Sequence, residues 1–231
     1  MPSLRRRSAA AEWMDDASAT EAEFSSALVD LERINRMSLA YRPVLRWLDR
    51  VVAEDGAPKR LSVLDVGAGG GDMLQAVAAW GEERGVALDL AGLDRSPWAG
   101  RHAAARGRPG RWITADLFDL DPAERFDVVL SSLFAHHLPH PVLVRFLRWL
   151  DARAARGWLV SDLHRHPVPW AFVWAGVRLL RMDPMVVHDS TVSIARGFRR
   201  EDWDAALGEA GVEAEIRWAF PFRWQVGTVR A

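Results

Sequence analysis

The stretch Leu61-Ser-Val-Leu-Asp-Val-Gly-Ala-Gly-Gly-Gly-Asp72 decides the fold of this 231-residue chain. It begins as an apolar run typical of a buried strand and then breaks into glycines. The chain resumes with helical spacing, which places Met73, Val77 and Trp80 on one face and Asp72 at the helix N-cap. A strand, a glycine turn and a helix N-terminus in this order let a ligand approach the backbone closely.

The residue types in this turn select the kind of ligand. A dinucleotide-binding fingerprint needs a third glycine at position 72, where this chain has Asp72. A carboxylate there would repel a pyrophosphate, and Asp65 occupies a position where phosphate-binding turns usually keep an apolar residue. The turn therefore disfavours a dehydrogenase and predicts a polar, partly cationic ligand, with a ligand-free glycine loop as the alternative.

The pattern Asp65-x-Gly67-x-Gly69-x-Gly71 resembles the first motif of class I S-adenosylmethionine-dependent methyltransferases. The resemblance implies S-adenosylmethionine as the cofactor, because its sulfonium and ammonium groups are cationic. It also implies an α/β fold, with a doubly wound sheet of seven mostly parallel strands, an antiparallel last strand, N-terminal helices and a helical lid inserted after strand five.

Two further acids follow predicted strands. Asp94 ends the strand 86–93, about 25 residues beyond the glycine turn, where the comparable Rossmann spacing is roughly 20. It is predicted to bind the ribose hydroxyls, although it is also a plausible helix-flanking acid. Asp116 resembles the family's adenine-binding position. The cofactor residues predicted together are Asp65, Gly67, Ala68, Gly69, Asp94, Arg95, Asp116, Leu117 and Ser132.

The fourth predicted strand, 126–133, runs into Phe134-Ala-His-His-Leu-Pro139, which resembles a motif of small-molecule methyltransferases. Enzymes of this class that methylate DNA bases carry an Asn/Asp-Pro-Pro-aromatic segment here, and catechol-type enzymes carry a metal-binding acid. Both are absent, and the net charge of −1 gives no footprint for nucleic acid. A small-molecule substrate, no nucleic acid and no metal ion are therefore expected.

Histidine is the side chain best suited to remove a proton near neutral pH. His137 is the first candidate for a catalytic base and His164 the second, since both follow the carboxyl ends of strands, where open α/β sheets bind ligands. Either residue has the alternative role of shaping the cofactor pocket. The histidines lack a metal-ligand spacing such as H-x₃-H.

The predicted helix 168–180 is apolar almost all round but too short to cross a membrane. It belongs to a segment, 164–195, predicted as a substrate lid, with Trp170, Trp174 and Val177 sharing the face toward the substrate. A homodimer interface and a membrane-surface contact are the alternatives. Residues 182–188 are predicted as a connector.

The chain divides into a tail and helical cap, 1–57, and a methyltransferase domain, 58–231. Residues 1–19 are predicted to be poorly ordered, with Arg5-Arg6-Arg7 in a solvated tail, and two helices to follow up to about residue 54. Arg36 is a candidate partner for the cofactor carboxylate. The absence of cysteine and of any apolar run of about 20 residues predicts a cytoplasmic protein.

These features predict methyl transfer to an oxygen or an activated carbon of a small, largely apolar metabolite of an aromatic, polyketide-like or quinone-like kind. The alternative is a protein of the same fold that binds the cofactor or an apolar ligand without catalysis and acts as a partner subunit. Retention of Asp65, Asp94 and Asp116 favours the enzyme.

Overall fold

A computed structural model describes residues 4–16, 19–54 and 58–230. Its centre is a seven-stranded sheet in the order β3-β2-β1-β4-β5-β7-β6, in which β7 runs antiparallel to both neighbours and the other strands are parallel. This confirms the predicted fold class. The strands are β1 (Arg60–Val66), β2 (Ala87–Asp94), β3 (Arg111–Thr114), β4 (Phe126–Ser132), β5 (Ala154–Leu163), β6 (Glu215–Ala219) and β7 (Arg223–Val229).

Eight α-helices surround this sheet in the part of the chain that the structure describes. They are α1 (Glu21–Met37), α2 (Tyr41–Glu54), α3 (Asp72–Arg84), α4 (Pro97–Ala105), α5 (His140–Arg153), α6 (Pro167–Leu179), α7 (Pro184–Arg196) and α8 (Arg200–Ala210). The two predicted N-terminal helices are confirmed. α1 begins with a capping box between Thr20 and Glu23, and Pro43 lies in the first turn of α2, where its missing N–H costs little.

Two apolar clusters cover the two faces of the sheet. On one face, α2 and α3 pack against β1 and β4 through residues such as Trp47, Leu48 and Leu74. On the other, α5 and α8 pack around Trp158 and Trp203. The central strands β1, β4 and β5 are buried from both sides, so their near-continuous apolar sequence follows from this layering. The carboxyl ends of β1, β2 and β4 are left at one edge of the sheet.

Three predictions about local structure were wrong. Residues 4–16 are not a loose tail: they lie against α7 and the turn after β4, with a 3₁₀ turn at Trp13–Asp15. The predicted connector at 182–188 contains the start of α7, which Asp183 caps. The N-cap of α3 is Gly71, whose φ of 73° suits glycine, and Asp72 is the first helical residue.

No helix within the described ranges is both long and apolar enough to cross a membrane.

Candidate active site

The glycine turn after β1 uses its own N–H groups internally. Gly67 and Ala68 both donate to the carbonyl of Leu93, at 2.8 and 3.2 Å, and Gly69 donates to the Asp94 carboxylate at 3.0 Å. These groups are therefore not free to bind a phosphate. A Cβ on Gly67 would lie 2.5 Å from the ring of Phe134, so the turn needs glycine to let the segment after β4 approach.

The acidic side chains at the strand ends form a site that favours a cationic ligand. Asp65 is only 2% exposed, and its Oδ1 has no hydrogen-bond partner among the described residues. Burial, and then the neighbouring carboxylates of Asp72 and Asp94, hold the pKa of Asp65 well above its ordinary value. A ligand that brings a cation next to this carboxyl group would relieve the repulsion.

Asp94 and Asp116 are fixed by backbone N–H groups, which leaves their carboxylates oriented. Asp94 accepts from Gly69 and from Ser96, the latter at 2.8 Å, while burial raises its pKa. Asp116 accepts from the N–H of Phe118 at 2.8 Å. Both residues line the same cavity as Asp65, beside the ends of β2 and β3.

Asp72 bridges the helical cap to the glycine turn. Its Oδ2 accepts from the Asn35 amide at 2.9 Å and from the Tyr41 hydroxyl at 2.7 Å. Arg36, the predicted partner of the cofactor carboxylate, instead faces outward and pairs with Glu32 in the preceding turn of α1. Arg36 is absent from the cavity lining, so that assignment was wrong.

One cavity of about 1180 Å³ lies at the carboxyl edge of the sheet. Its polar half follows the ends of β1, β2 and β3, and its apolar half is covered by α6, α7 and the loop before β7. The cavity brings together most of the sequence-predicted site residues, namely Asp65, Gly67, Ala68, Gly69, Asp94, Arg95, Asp116, Leu117, Ser132, His137, His164 and Val177.

Trp170 and Trp174 do not line this cavity, which corrects the predicted lid face. They stack on each other with ring centroids 6.5 Å apart, and Trp174 is 45% exposed beneath the Arg178 guanidinium. α6 instead presents Phe172 and Val173 to the cavity. Because each helical residue turns by about 100°, the lining face is rotated by roughly one residue from the predicted one.

His136 and His137, in a 3₁₀ turn after β4, are each held by a carboxylate. His136 Nδ1 lies 2.7 Å from Asp162 at the end of β5. Burial acts to raise the pKa of Asp162, but His136 and two backbone N–H groups lower it, so the carboxylate is charged and Nδ1 is the donor. His137 Nδ1 lies 2.7 Å from Asp15. Both rings therefore turn Nε2 toward Glu12, at 3.6 and 3.7 Å.

Glu12 and Asp15 come from the N-terminal segment that the sequence predicted to be disordered. Residues 4–16 have no periodic apolar pattern, and their order comes from long-range bonds. The N–H groups of Trp13 and Met14 donate to the Asp189 carboxylate at 2.8 and 2.9 Å. Asp162 was not predicted as a site residue either, although its position as an acid near the end of a buried strand could have indicated it.

Glu12, His136 and His137 offer ligand atoms within 4.8 Å of one another and form a candidate metal-binding group. Arg196 lies 3.8 Å from the same Glu12 carboxylate, and a guanidinium there disfavours a divalent cation. Burial raises the pKa of Glu12 to about 7. The donor set therefore suits a proton-sharing network as well as it suits a metal ion.

His164, the second predicted base, lies at the end of β5 on the apolar side of the cavity. Its Nδ1 accepts from the indole of Trp218 at 3.3 Å, which leaves Nε2 as the protonated nitrogen of the neutral ring. Burial, and then His166 and Arg199, lower the pKa of His164.

A family model described as a methyltransferase domain matches residues 34–213, more than half of the chain. The chain belongs to this methyltransferase family. The methyltransferase is 31% identical over 153 residues to a ubiquinone biosynthesis O-methyltransferase of Leptothrix cholodnii, which covers 63% of this chain and 61% of the relative. The chain thus spans less than two thirds of that relative's length.

Solved structures show the same fold at low identity. The methyltransferase superposes on a plantazolicin methyltransferase bound to S-adenosylhomocysteine (SAH) with a TM-score of 0.64 and 13% identity, covering 91% of this chain and 95% of the other. A magnesium protoporphyrin IX methyltransferase from Synechocystis PCC 6803, also with SAH, gives 0.56 and 17%, covering 94% and 90%.

S-adenosylmethionine is the cofactor of this class, and the residues present fit it. The unpartnered carboxyl group of Asp65 is suited to contact a cationic group of the cofactor. The oriented carboxylate of Asp94 is suited to accept hydrogen bonds from the two ribose hydroxyls.

Proposed function

We propose that this methyltransferase transfers a methyl group to an oxygen of a small, largely apolar aromatic or quinone-like molecule. The observation that carries the proposal is the two-sided cavity: acids line one half and α6 and α7 the other, with His137 at the junction. The similarity to the Leptothrix O-methyltransferase supports an oxygen acceptor. An activated carbon acceptor would use the same geometry.

When bound, S-adenosylmethionine would supply an electrophilic methyl group, with SAH as the leaving thioether. Asp65, Asp94 and Asp116 would hold the cofactor at the ends of β1, β2 and β3. Transfer to a hydroxyl oxygen also requires that the proton of the hydroxyl be removed. We assign this proton transfer to His137, and the contact of its Nδ1 with Asp15, which fixes the ring, supports the assignment.

The apolar residues of α6 and α7 would limit the access of water to the reacting atoms. Most of the acceleration of such a displacement comes from alignment of the two reactants. Phe172, Val173 and Val177 of α6, together with Met185 and Val186 of α7, supply the apolar cover.

Methyl transfer should be tested with labelled S-adenosylmethionine and a panel of naphthols, catechols and hydroquinones, scored by mass spectrometry. We expect methyl ethers from at least one phenol and a large loss of turnover in His137→Gln with intact SAH binding. Transfer only to amines, or no transfer with full cofactor binding, would contradict the proposal.

Asp65→Asn provides the matched cofactor test. It should weaken binding of S-adenosylmethionine by about tenfold or more, as expected when a charge-assisted contact is lost. A smaller loss for SAH, which keeps the ammonium but lacks the sulfonium, would assign Asp65 to the sulfonium, and an equal loss would assign it to the ammonium. Titration calorimetry measures both. Equal affinities in the parent and the variant would show that Asp65 does not face the cation.

A further inference from the structure

Arg223, the first residue of β7, is a buried cation without an ion pair among the described residues, and the carboxylate of Asp162 on the neighbouring strand β5 favours its charged form only from beyond salt-bridge distance. Its side chain is 3% exposed. Nη2 donates to the Ser38 hydroxyl at 3.0 Å, whereas Nε and Nη1 have no hydrogen-bond partner in the described ranges. Burial lowers the pKa of Arg223 to about 10, so the guanidinium remains charged at neutral pH.

The other buried arginines show what a structural role looks like in this protein. Arg153 donates to three backbone carbonyls. Arg165 donates to two carbonyls and pairs with Asp202 at 2.9 Å. Arg223 has one neutral hydroxyl in place of such a set. Because a buried charge with unmet donors is costly, this position points to a ligand.

The Arg223 side chain forms part of the cavity wall. Arg223 lines the cavity together with Phe222 and with Leu163, its partner in the β5–β7 ladder. The strand order places β7 on the far side of β4 from β1 and β2, whose ends carry Asp65 and Asp94. Arg223 therefore belongs to the acceptor half of the cavity.

We propose that Arg223 binds a carboxylate in this cavity, and that the acceptor carries it. The Ser38 hydroxyl occupies only one of the two N–H groups of Nη2, so the other, together with the unbonded Nε or Nη1 on the same edge of the guanidinium, matches the two oxygens of a carboxylate in a bidentate pair. The acceptor would then be an aromatic acid whose ring lies under α6. This step rests on the proposed function for the identity of the ligand. The cofactor's own carboxylate is the competing source.

The acceptor arm of the test uses binding, not turnover. 2-Naphthoate and its neutral isostere 2-naphthamide are titrated into SAH-saturated protein by calorimetry. The parent should prefer the carboxylate by about tenfold or more. Arg223→Gln should abolish that preference, Arg223→Lys should retain part of it, and the exposed Arg36→Gln should leave it unchanged.

The cofactor arm compares SAH with 5′-methylthioadenosine, which lacks the amino-acid moiety. We expect Arg223→Gln to leave the ratio of these two affinities within about twofold, and methylthioadenosine binding also confirms that the variant is folded. A collapse of the ratio with naphthoate binding intact would assign the carboxylate to the cofactor and overturn the acceptor assignment.

If Arg223→Gln changes neither arm, no carboxylate binds at Arg223 and the inference fails. The outcome is separable from that of the proposed function. If naphthoate is preferred and the preference depends on Arg223, the inference is supported even when no phenol in the panel is methylated. If phenols are methylated but naphthoate is not preferred, the proposed function is supported and the inference about Arg223 fails.

Discussion

At the scale of single residues, buried acids control how this protein responds to pH. Glu12 is the clearest case. Burial raises its pKa from 4.5 to about 7, against the opposing effects of His137, Ser193 and Arg196. The groups that face it are His136, His137, Arg196, Asp189 and Ser193.

The raised pKa of Glu12 makes its contribution to the free energy of unfolding decrease as pH rises. Because the folded protein holds the Glu12 proton more tightly than the unfolded chain, this group's contribution is fully present below pH 4.5 and is lost as pH rises to about 7. Glu12→Gln should remove that slope, worth at most roughly 3 kcal/mol. Urea unfolding at several pH values measures it, with the exposed Glu213→Gln as control. Equal slopes in the parent and Glu12→Gln would contradict the assignment.

The candidate metal group makes a second prediction at this scale. We expect EDTA to leave transfer to any accepted phenol within about twofold, because Arg196 already balances the Glu12 carboxylate. Metal analysis of the purified protein should find well below one ion per chain. An EDTA loss that Mg²⁺ or Zn²⁺ restores would assign Glu12, His136 and His137 as ligands.

At the scale of elements, α6 forms one wall of the cavity and also borders its opening. Phe172 and Leu179 line the cavity although they are 80% and 83% exposed, so the cavity opens along this helix. An apolar acceptor entering there would meet these side chains first. The exposed apolar rim also leaves room for the homodimer alternative.

Phe172→Ala should weaken binding of 2-naphthol to SAH-saturated protein by about fivefold, near 1 kcal/mol for a partly buried aromatic contact. Trp174→Ala is the matched control on the same helix and should leave binding unchanged. The reverse pattern would restore the lid face predicted from sequence. A shift of both variants to monomer in light scattering would identify a dimer interface instead.

The elements that depend on short-range periodicity were predictable from the sequence. The strand before the glycine turn, the acids that end β1 and β2, and α1 and α2 follow from local patterns. Which face of α6 lines the cavity was not predictable, because a helix that is apolar on every side gives no pattern from which to tell its buried face. Neither were Glu12 and Asp15, because residues 4–16 have no pattern of their own.

At the scale of the whole molecule, residues 4–16 tie distant parts of the chain together across the cavity. Arg7 donates to the carbonyls of Arg196, His136 and Leu138, and its guanidinium lies 4.3 Å from the centre of the Phe198 ring. Asp15 pairs with Arg95. The segment therefore closes over the cofactor half of the site.

Arg7→Ala should speed the release of SAH several-fold, since it removes three hydrogen bonds that hold this segment, and should lower stability by about 1–3 kcal/mol. Stopped-flow displacement and thermal unfolding measure the two effects. The neighbouring, exposed Arg6→Ala should change neither. Unchanged release from Arg7→Ala would show that the cofactor leaves by another route.

The same contacts order events during synthesis. Arg7 is translated 189 residues before Arg196, whose carbonyl it binds. At about 5–20 residues per second, the segment waits some tens of seconds or less for its partners. Glu12 and Asp15, which complete the histidine network, are thus translated well before Asp189 and Arg196, the residues whose side chains hold their segment in place.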